Sequence, residues 1–243
     1  MPSEIYRGRS EAAHTVLAAT DVRAYLSPPL DTAYPLRYAF YLLGDVRGKI
    51  VLDLGCGSGE NLALLLAHGA SVIAIDLSPE LIALARKRVE LSHFKAPVFM
   101  VGSALEIPLS DSCVNAVLCA SLLHHLDVSR AMSEIRRVLK PDGFVVVKEP
   151  VRFSKMAGRL RKLLPAQRDI SDSEHPLTRE EVDRLKNGWR VAGERAFRLP
   201  FVPLFSRQRA IDAIWGLDRL LLKKFNALER YSTSRVLKLT KPN

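Results

Sequence analysis

The sequence has 243 residues, of which 48% are hydrophobic, and a formal net charge of +10 at pH 7. This length and apolar content are enough to bury a full core, and they suit one enlarged α/β domain better than two independent ones. No apolar run approaches the roughly 20 residues that a membrane-spanning helix needs, so no such helix is expected. The first ten residues are polar, unlike a signal peptide, and we therefore expect a cytoplasmic protein.

The three cysteines suggest neither a disulfide framework nor a metal site. Cys56, Cys113 and Cys119 are odd in number and lack the spacing of metal ligands. We interpret them as reduced core residues, because no base that could activate Cys119 as a nucleophile is visible beside it.

Two helices are predicted ahead of the first strand. Residues 10–25 have helical spacing and are followed by Ser-Pro-Pro, which ends the helix. Residues 34–43 form a second candidate, rich in Tyr and Phe, that leads through two glycines into the first strand.

The segment from Ile50 to Gly59, Ile-Val-Leu-Asp-Leu-Gly-Cys-Gly-Ser-Gly, is the most informative part of the chain. Its apolar run predicts a buried parallel strand, and its alternating glycines predict a tight loop, open to a bound molecule, before a helix over 61–68. Glu60 stands where a nicotinamide-binding fingerprint would have its third glycine, which weakens that interpretation. A second strand over 71–75 ends at Asp76, whose two oxygens suit a ribose diol.

The next segments alternate between helix and strand. Ser78 and Pro79 predict a helix start, and further strands are expected over 98–101 and 114–120. The motif Ser121-Leu-Leu-His-His-Leu-Asp127 follows at the edge where open parallel sheets bind ligands. Its histidines, His124 and His125, are candidate general bases or structural parts of the loop.

A helix over 128–139, capped by Asp127, and a turn at Lys140-Pro-Asp-Gly143 lead into a fifth strand over 144–148. Glu149 and Pro150 come directly after that strand. Glu149 is equally a candidate substrate binder or base and an ordinary acid that caps a loop.

Four of these motifs occur together, in this order and spacing, in the class I S-adenosylmethionine-dependent methyltransferases, which the chain resembles. They are Val51–Gly59, Ile73-Ala-Ile-Asp-Leu-Ser-Pro79, Leu122-Leu-His-His-Leu126 and Arg137-Val-Leu-Lys-Pro-Asp-Gly143. The resemblance implies a Rossmann-like α/β sheet flanked by helices and S-adenosylmethionine as cofactor. The cofactor-binding residues that it implies are Asp53, Gly55, Cys56, Gly57, Gly59, Asp76, Leu77, Ser103, Ala104 and Ala120.

The resemblance also implies what these residues contact. Asp53 and the glycine loop would face the methionine end of the cofactor, and Asp76 the ribose. Ser103 stands where many family members have an acid that accepts from the adenine amino group, so adenine binding here would rest on a neutral hydrogen bond.

We expect a single domain with three parts. Residues 1–48 form an N-terminal helical cap, 49–150 the cofactor-binding core, and 151–243 lid helices and the final strands. In resembling enzymes the segment before the sheet closes the substrate pocket, which makes the following residues pocket candidates: His14, Tyr25 and Tyr34.

The C-terminal part carries the positive charge. Residues 1–150 have 15 Lys and Arg against 16 Asp and Glu, whereas residues 151–243 have 21 against 10. Basic amphipathic helices are predicted over 151–164 and 207–230, and they form a lid, lie on anionic lipid, or do both.

Between these helices, Thr178-Arg-Glu-Glu181 predicts a capping box and a short helix ended by Asn187-Gly188. The segments 189–197 and 234–239 suit the last two strands. His175, in the loop before the capping box, is a fourth candidate base.

The sequence therefore predicts methyl transfer to a small, hydrophobic acceptor, first at oxygen and next at nitrogen or carbon, without a metal. Its acceptor would be a polyketide, quinone, aromatic or lipid-linked metabolite, and the protein a monomer or homodimer. One alternative is an RNA methyltransferase that uses the basic C-terminal region, although its charges fringe apolar stripes and form no recognisable nucleic-acid module. Another is a non-catalytic cofactor-binding partner protein.

Overall fold

The computed structural model describes residues 23–90, 97–154, 175–199 and 208–242, without the side chains of Arg23 and residues 208–212. The helices are α1 (Arg23–Leu26), α2 (Pro35–Leu43), α3 (Leu62–Ala67), α4 (Pro79–Glu90), α5 (Val128–Val138), α6 (Arg179–Lys186) and α7 (Gln208–Lys224). The strands are β1 (Ile50–Leu54), β2 (Ser71–Asp76), β3 (Val98–Val101), β4 (Val114–Ala120), β5 (Leu139–Pro150), β6 (Arg190–Phe197) and β7 (Ser234–Thr240). Two 3-10 turns span Leu123–His125 and Asn226–Tyr231.

The strands form one seven-stranded sheet in the order β3-β2-β1-β4-β5-β7-β6. Strands β1 to β5 pair in parallel, and β7 pairs antiparallel with both of its neighbours. The predicted α/β sheet flanked by helices is confirmed. Because β6 runs in the direction of β5, the carboxyl ends of β1, β2, β4, β5 and β6 lie at one edge.

Each face of the sheet carries its own hydrophobic core. One core packs the sheet against α5 and α6, through residues such as Ile135 and Leu185. The other packs it against α2, α3 and α4, through residues such as Phe40, Leu65 and Ile82. Since both faces are covered, the central strands are continuous apolar runs, as the sequence predicts.

Three predicted helix starts have the expected hydrogen bonds. The Ser78 hydroxyl accepts from the Leu81 N–H at 3.2 Å, and the Asp127 carboxylate accepts from the Arg130 N–H at 3.0 Å. Thr178 and Glu181 form the reciprocal capping box that opens α6.

Strand β5 is longer than predicted at both ends. Leu139 already pairs with Val114, and the register then shifts before Ala116 pairs with Phe144, so the predicted turn lies within the strand's bounds. At the other end Glu149 and Pro150 pair with β7 and do not follow the strand. Pairing with β7, which sequence periodicity does not reveal, causes the extension at the carboxyl end.

The helix predicted from residue 151 is wrong in its first residues. The Val151 N–H donates to the Thr233 carbonyl at 3.0 Å, and the Arg152 N–H to the Leu177 carbonyl at 2.9 Å, so these groups are committed to neighbouring segments. Residues 155–164 lie outside the described residues, as do residues 10–22 of the first predicted helix. The predicted helix over 207–230 is α7 followed by a 3-10 turn.

Within the described ranges, no helix has the length and apolarity needed to cross a bilayer.

Candidate functional site

The glycine loop after β1 is bound to the end of β2. The N–H groups of Gly55 and Cys56 both donate to the Ile75 carbonyl, at 2.8 and 3.0 Å. Gly55, Gly57 and Gly59 have φ angles of 70°, 53° and 83°, in the left-handed region that side chains disfavour. The alternating glycines are therefore required by the backbone conformation.

The three glycines differ in what surrounds them. A Cβ on Gly55 would lie 2.8 Å from the Leu122 side chain, and one on Gly59 would lie 3.0 Å from the Ala85 backbone of α4. A Cβ on Gly57 would meet nothing within 4 Å. The middle of the loop thus faces open space that a ligand can occupy against bare backbone.

Asp76 holds the loop from the tip of β2. Its Oδ2 accepts from the Gly57 N–H at 2.8 Å and its Oδ1 from the Ser78 N–H at 3.0 Å. Each carboxylate oxygen can accept a second hydrogen bond, so Asp76 keeps the capacity to bind two hydroxyls. Leu77, beside it, is 73% exposed at the same edge.

Asp53 is the unusual group of the site. It lies in β1 with 1% of its surface exposed, and its Oδ2 has no hydrogen-bond partner among the described residues. Burial, with the Asp76 charge as a smaller cause, raises the pKa of Asp53 from 3.8 to about 7. A buried carboxylate without a cation is costly, and a positively charged ligand would relieve this cost.

The remaining residues of the predicted cofactor set line the same sheet edge. The Ser103 hydroxyl accepts from the Leu105 N–H at 3.1 Å and can still donate to a ligand. Ala104 is buried, and Ala120 is half-buried at the last position of β4. Cys56 is buried, and burial raises the pKa of its thiol.

Cys119 is fully buried inside β4 and burial raises the pKa of its thiol well above the ordinary value. This environment supports the interpretation of Cys119 as a core residue, because a thiol held protonated is a poor nucleophile.

The structure brings His124 and Glu149 into direct contact. Their side chains are 3% and 1% exposed, and His124 Nδ1 lies 2.7 Å from Glu149 Oε2. Glu149 Oε1 also accepts from the N–H groups of Leu122 and Leu123, at 2.8 and 2.9 Å. Glu149 therefore caps the 3-10 turn that carries the histidines, which favours the loop-capping alternative over a base.

The other two candidate bases are more accessible. His125 is exposed, and its ring centroid lies 3.9 Å from that of His124 at an interplanar angle of 41°. His175 is exposed two residues before Leu177, whose N–H donates to the Pro150 carbonyl. Among the described residues, no group of three or more His, Cys, Asp or Glu side chains could hold a metal ion.

Sequence patterns missed two cations at this edge. Lys148, in β5, has its Nζ 3.2 Å from the Ser121 hydroxyl, and Arg198 directly follows β6. A lysine that interrupts the apolar run of β5 was a usable signal for the first. No pattern marked Arg198, because its place depends on the pairing of β6 with β7.

The pocket candidates before the sheet are partly placed. Tyr34 stacks on Trp215 of α7 with ring centroids 5.0 Å apart, which brings α7 beside the segment that precedes α2. Tyr25 packs edge-on against Phe40 and its carbonyl contacts His68 Nε2 at 2.8 Å, so Tyr25 serves the core. His14 lies outside the described residues.

Comparison with known proteins finds similarity to methyltransferases. A family model described as a methyltransferase domain matches residues 52–147. A demethylmenaquinone methyltransferase of Tropheryma whipplei is 31% identical over 176 residues, which cover 70% of this chain and 72% of that protein.

Two further similarities concern shorter coverage or lower identity. An uncharacterized methyltransferase-like protein of Schizosaccharomyces pombe is 37% identical over 128 residues, which cover 49% of this chain and 48% of that protein. The chain thus spans about half the length of this curated relative. The solved structure of an S-adenosylmethionine-dependent methyltransferase from Aquifex aeolicus matches with a TM-score of 0.58 at 18% identity, covering 92% of this chain and 98% of that one. At that identity the likeness is one of fold.

Proposed function

Because the chain belongs to the class I S-adenosylmethionine-dependent methyltransferases, we propose that it transfers a methyl group from S-adenosylmethionine to a small-molecule acceptor, first at oxygen and next at nitrogen or carbon. The observation that carries this proposal is the pairing of an open glycine loop with an unpartnered buried carboxylate oxygen. The loop leaves room at Gly57, and Asp53 offers a negative charge beneath it.

The residues present fit the cofactor. S-adenosylmethionine supplies an electrophilic methyl group on a positively charged sulfonium, and its methionine end carries an ammonium group. Asp53 and the glycine loop would hold the methionine end, Asp76 the ribose hydroxyls, and Ser103 the adenine. Asp76 stays available because each of its oxygens accepts only one backbone hydrogen bond.

The protein's contribution to the reaction is then mainly positional. It must align the acceptor with the methyl group and exclude water, and a proton acceptor is needed only when the nucleophile is a protonated hydroxyl or amine. His125 is the most accessible of the candidate bases in the turn after β4.

A small-molecule acceptor is supported by the demethylmenaquinone methyltransferase relative, whose name specifies such a substrate. The aromatic contact between Tyr34 and Trp215 supports closure over the sheet edge by α7 and the segment before α2. The RNA methyltransferase and the non-catalytic alternatives have no observation of their own, and the non-catalytic one is kept as an outcome of the experiment.

The test is calorimetric titration of purified, cofactor-free protein with S-adenosylmethionine and with S-adenosylhomocysteine. We expect micromolar binding that weakens at least about tenfold in Asp76→Ala, because the proposed ribose acceptor is lost together with its hydrogen bonds to Gly57 in the loop and to Ser78 at the start of α4. The control is Asp45→Ala, which removes an exposed carboxylate paired with Arg47. Absence of binding by folded wild-type protein would overturn the proposal, and binding without turnover across many acceptors would favour a non-catalytic partner protein.

A further inference from the structure

Lys148 occupies the end of β5 on the face opposite to Glu149. Side chains two residues apart in a strand lie on the same face, so Lys148 shares its face with Val146, which belongs to the core beneath α2. Glu149 shares the other face with Val147. Lys148 and Ser121 are joined twice, by the Ser121 N–H to the Lys148 carbonyl at 2.8 Å and by Lys148 Nζ to the Ser121 hydroxyl at 3.2 Å. The charged end of Lys148 is therefore held at the carboxyl end of β4, at the sheet edge that carries the proposed cofactor site.

Arg198 stands at the corresponding end of β6 in a strained conformation. Its φ angle is 61°, a region that a non-glycine residue seldom adopts. The Asp218 carboxylate accepts from its N–H at 3.0 Å, and Thr233 donates to its carbonyl from both the backbone and the side chain. A strained residue that its surroundings hold so firmly is typical of a functional position.

An aromatic surface lies beside the Arg198 side chain. The guanidinium carbon is 4.8 Å from the ring centroid of Trp215, which itself stacks on Tyr34. Arg37 lies on α2, and the carbon of its guanidinium is 4.5 Å from the centroid of the Tyr34 ring. Flat apolar surface and positive charge thus alternate at this edge.

Among the described residues, neither Lys148 nor Arg198 takes part in a salt bridge. Of the acids nearby, Glu149 is engaged by its own turn and Asp218 accepts from the backbone; the charges of Glu149 and Glu60 act on Lys148, and that of Asp218 acts on Arg198, without an ion pair.

Burial keeps these cations in an unfavourable state. Burial lowers the pKa of the Lys148 ammonium, with the charge of Glu149 acting against it and the charge of Arg198 in the same direction. Burial also lowers the pKa of the Arg198 guanidinium, against the charge of Asp218. A negatively charged ligand would restore a favourable environment to both.

We propose that Lys148 and Arg198 bind a negatively charged oxygen of the methyl acceptor, with the acceptor's planar ring against Trp215. The inference rests on the proposed methyltransferase function and narrows its acceptor to aromatic carboxylates or ionised phenols. Strands β5 and β6 are separated by β7, so their ends lie roughly 10 Å apart at the usual strand spacing.

The experiment compares two matched probes on the full chain saturated with S-adenosylhomocysteine. The probes are 2-naphthoate and its neutral analogue 2-naphthamide, with 4-nitrophenolate as the phenol arm, and binding is measured by calorimetry. Wild type should bind naphthoate or nitrophenolate at least about tenfold more tightly than naphthamide, as charge-assisted hydrogen bonds allow. The preferred anion identifies carboxylate or phenol as the acceptor group.

Two variants and one control separate binding from folding. Lys148→Met keeps the length of the side chain and should lose the preference for anions. Arg198→Gly should lose it as well while unfolding at the same or a higher temperature, because glycine adopts the positive φ without strain. Lys224→Met removes the same charge from the last turn of α7 and should keep the preference.

The outcomes distinguish this inference from the proposed function. If wild type binds S-adenosylhomocysteine but binds the two naphthyl probes equally, or binds none of the probes, the anionic acceptor site is refuted and the methyltransferase proposal stands. Loss of the preference in Lys224→Met would also refute it. If wild type fails to bind S-adenosylhomocysteine, the proposed function itself fails.

Discussion

Replacing Glu149 by alanine tests whether this carboxylate holds the turn that carries the histidines. The side chain is 1% exposed and accepts three hydrogen bonds, from the N–H groups of Leu122 and Leu123 and from the His124 ring. Glu149→Ala removes all three acceptors at once, at a place where water has little access.

The magnitude follows from the number of donors left unpaired. A buried donor without an acceptor costs about 1–3 kcal/mol, so three cost about 3–9 kcal/mol, and water that enters the gap reduces the sum toward its lower end. We expect Glu149→Ala to lower the free energy of unfolding by at least about 3 kcal/mol. For a domain of this size that loss lowers the melting temperature by about 6 °C or more.

Glu149→Gln should lower the free energy of unfolding less, by about 1 kcal/mol, because its amide oxygen can still accept from both backbone N–H groups. Its NH2 group can then donate to Nδ1 of His124, in the tautomer in which that nitrogen accepts. The control is Glu80→Ala, which removes an exposed carboxylate that bonds the Ser78 hydroxyl and should leave unfolding unchanged. Urea unfolding of the four proteins gives the comparison. A loss below about 1 kcal/mol in Glu149→Ala would refute the capping role.

Three further predictions concern the glycine loop, the buried acid and the last helix. Gly57→Ala should weaken S-adenosylmethionine binding at least about tenfold, because its Cβ would enter the open space of the loop. The control Gly44→Ala has a similar φ of 68° and equally free surroundings, and it should leave binding unchanged in the same titration. Since the pKa of Asp53 is raised from 3.8 to about 7, the native state binds the proton of this carboxyl more tightly than the unfolded state does. The stability that this proton binding contributes below pH 4 is lost as the pH rises to 7. The free energy of unfolding of Asp53→Asn minus that of wild type, measured by urea unfolding, should therefore increase by up to about 4 kcal/mol between pH 4 and pH 7. A value that stays constant would contradict the assigned environment of Asp53. Vesicles containing anionic lipid should carry wild-type protein in a flotation assay. Reversing the charges of Lys223 and Lys224, which lie beside the exposed apolar residues of α7, should abolish this flotation. Flotation that both reversals leave unaffected would exclude α7 as the membrane contact.

Much of the parallel half of the fold was readable from local patterns. The glycine loop, the caps at Ser78, Asp127 and Thr178 and the buried strands depend on neighbours in sequence, and periodicity reports such neighbours well. The carboxyl end of β5 depends instead on pairing with β7, more than 80 residues away in the chain, and its first residue on pairing with Val114 of β4. Local patterns contain no trace of either pairing, and the extension of β5 at both ends was missed for this reason.

The site was readable in its backbone and less so in its side chains. The resemblance selected Asp53, Asp76 and the glycines, and the structure places them together at one sheet edge. It could not indicate that His124 and Glu149 are partners of each other, since they come from different strand ends 25 residues apart. Lys148 and Arg198 come together only through the order of the strands.

The position of β7 sets an order on how the sheet can be assembled during synthesis. Residues 190–197 leave the ribosome well before residues 234–240, yet β6 touches the rest of the sheet through β7 alone. Until β7 is made, β6 has no strand to pair with and β5 presents an open apolar edge to the cell. A stall or truncation between these two strands would therefore expose two unpaired edges at once, and such nascent chains would be natural clients for chaperones.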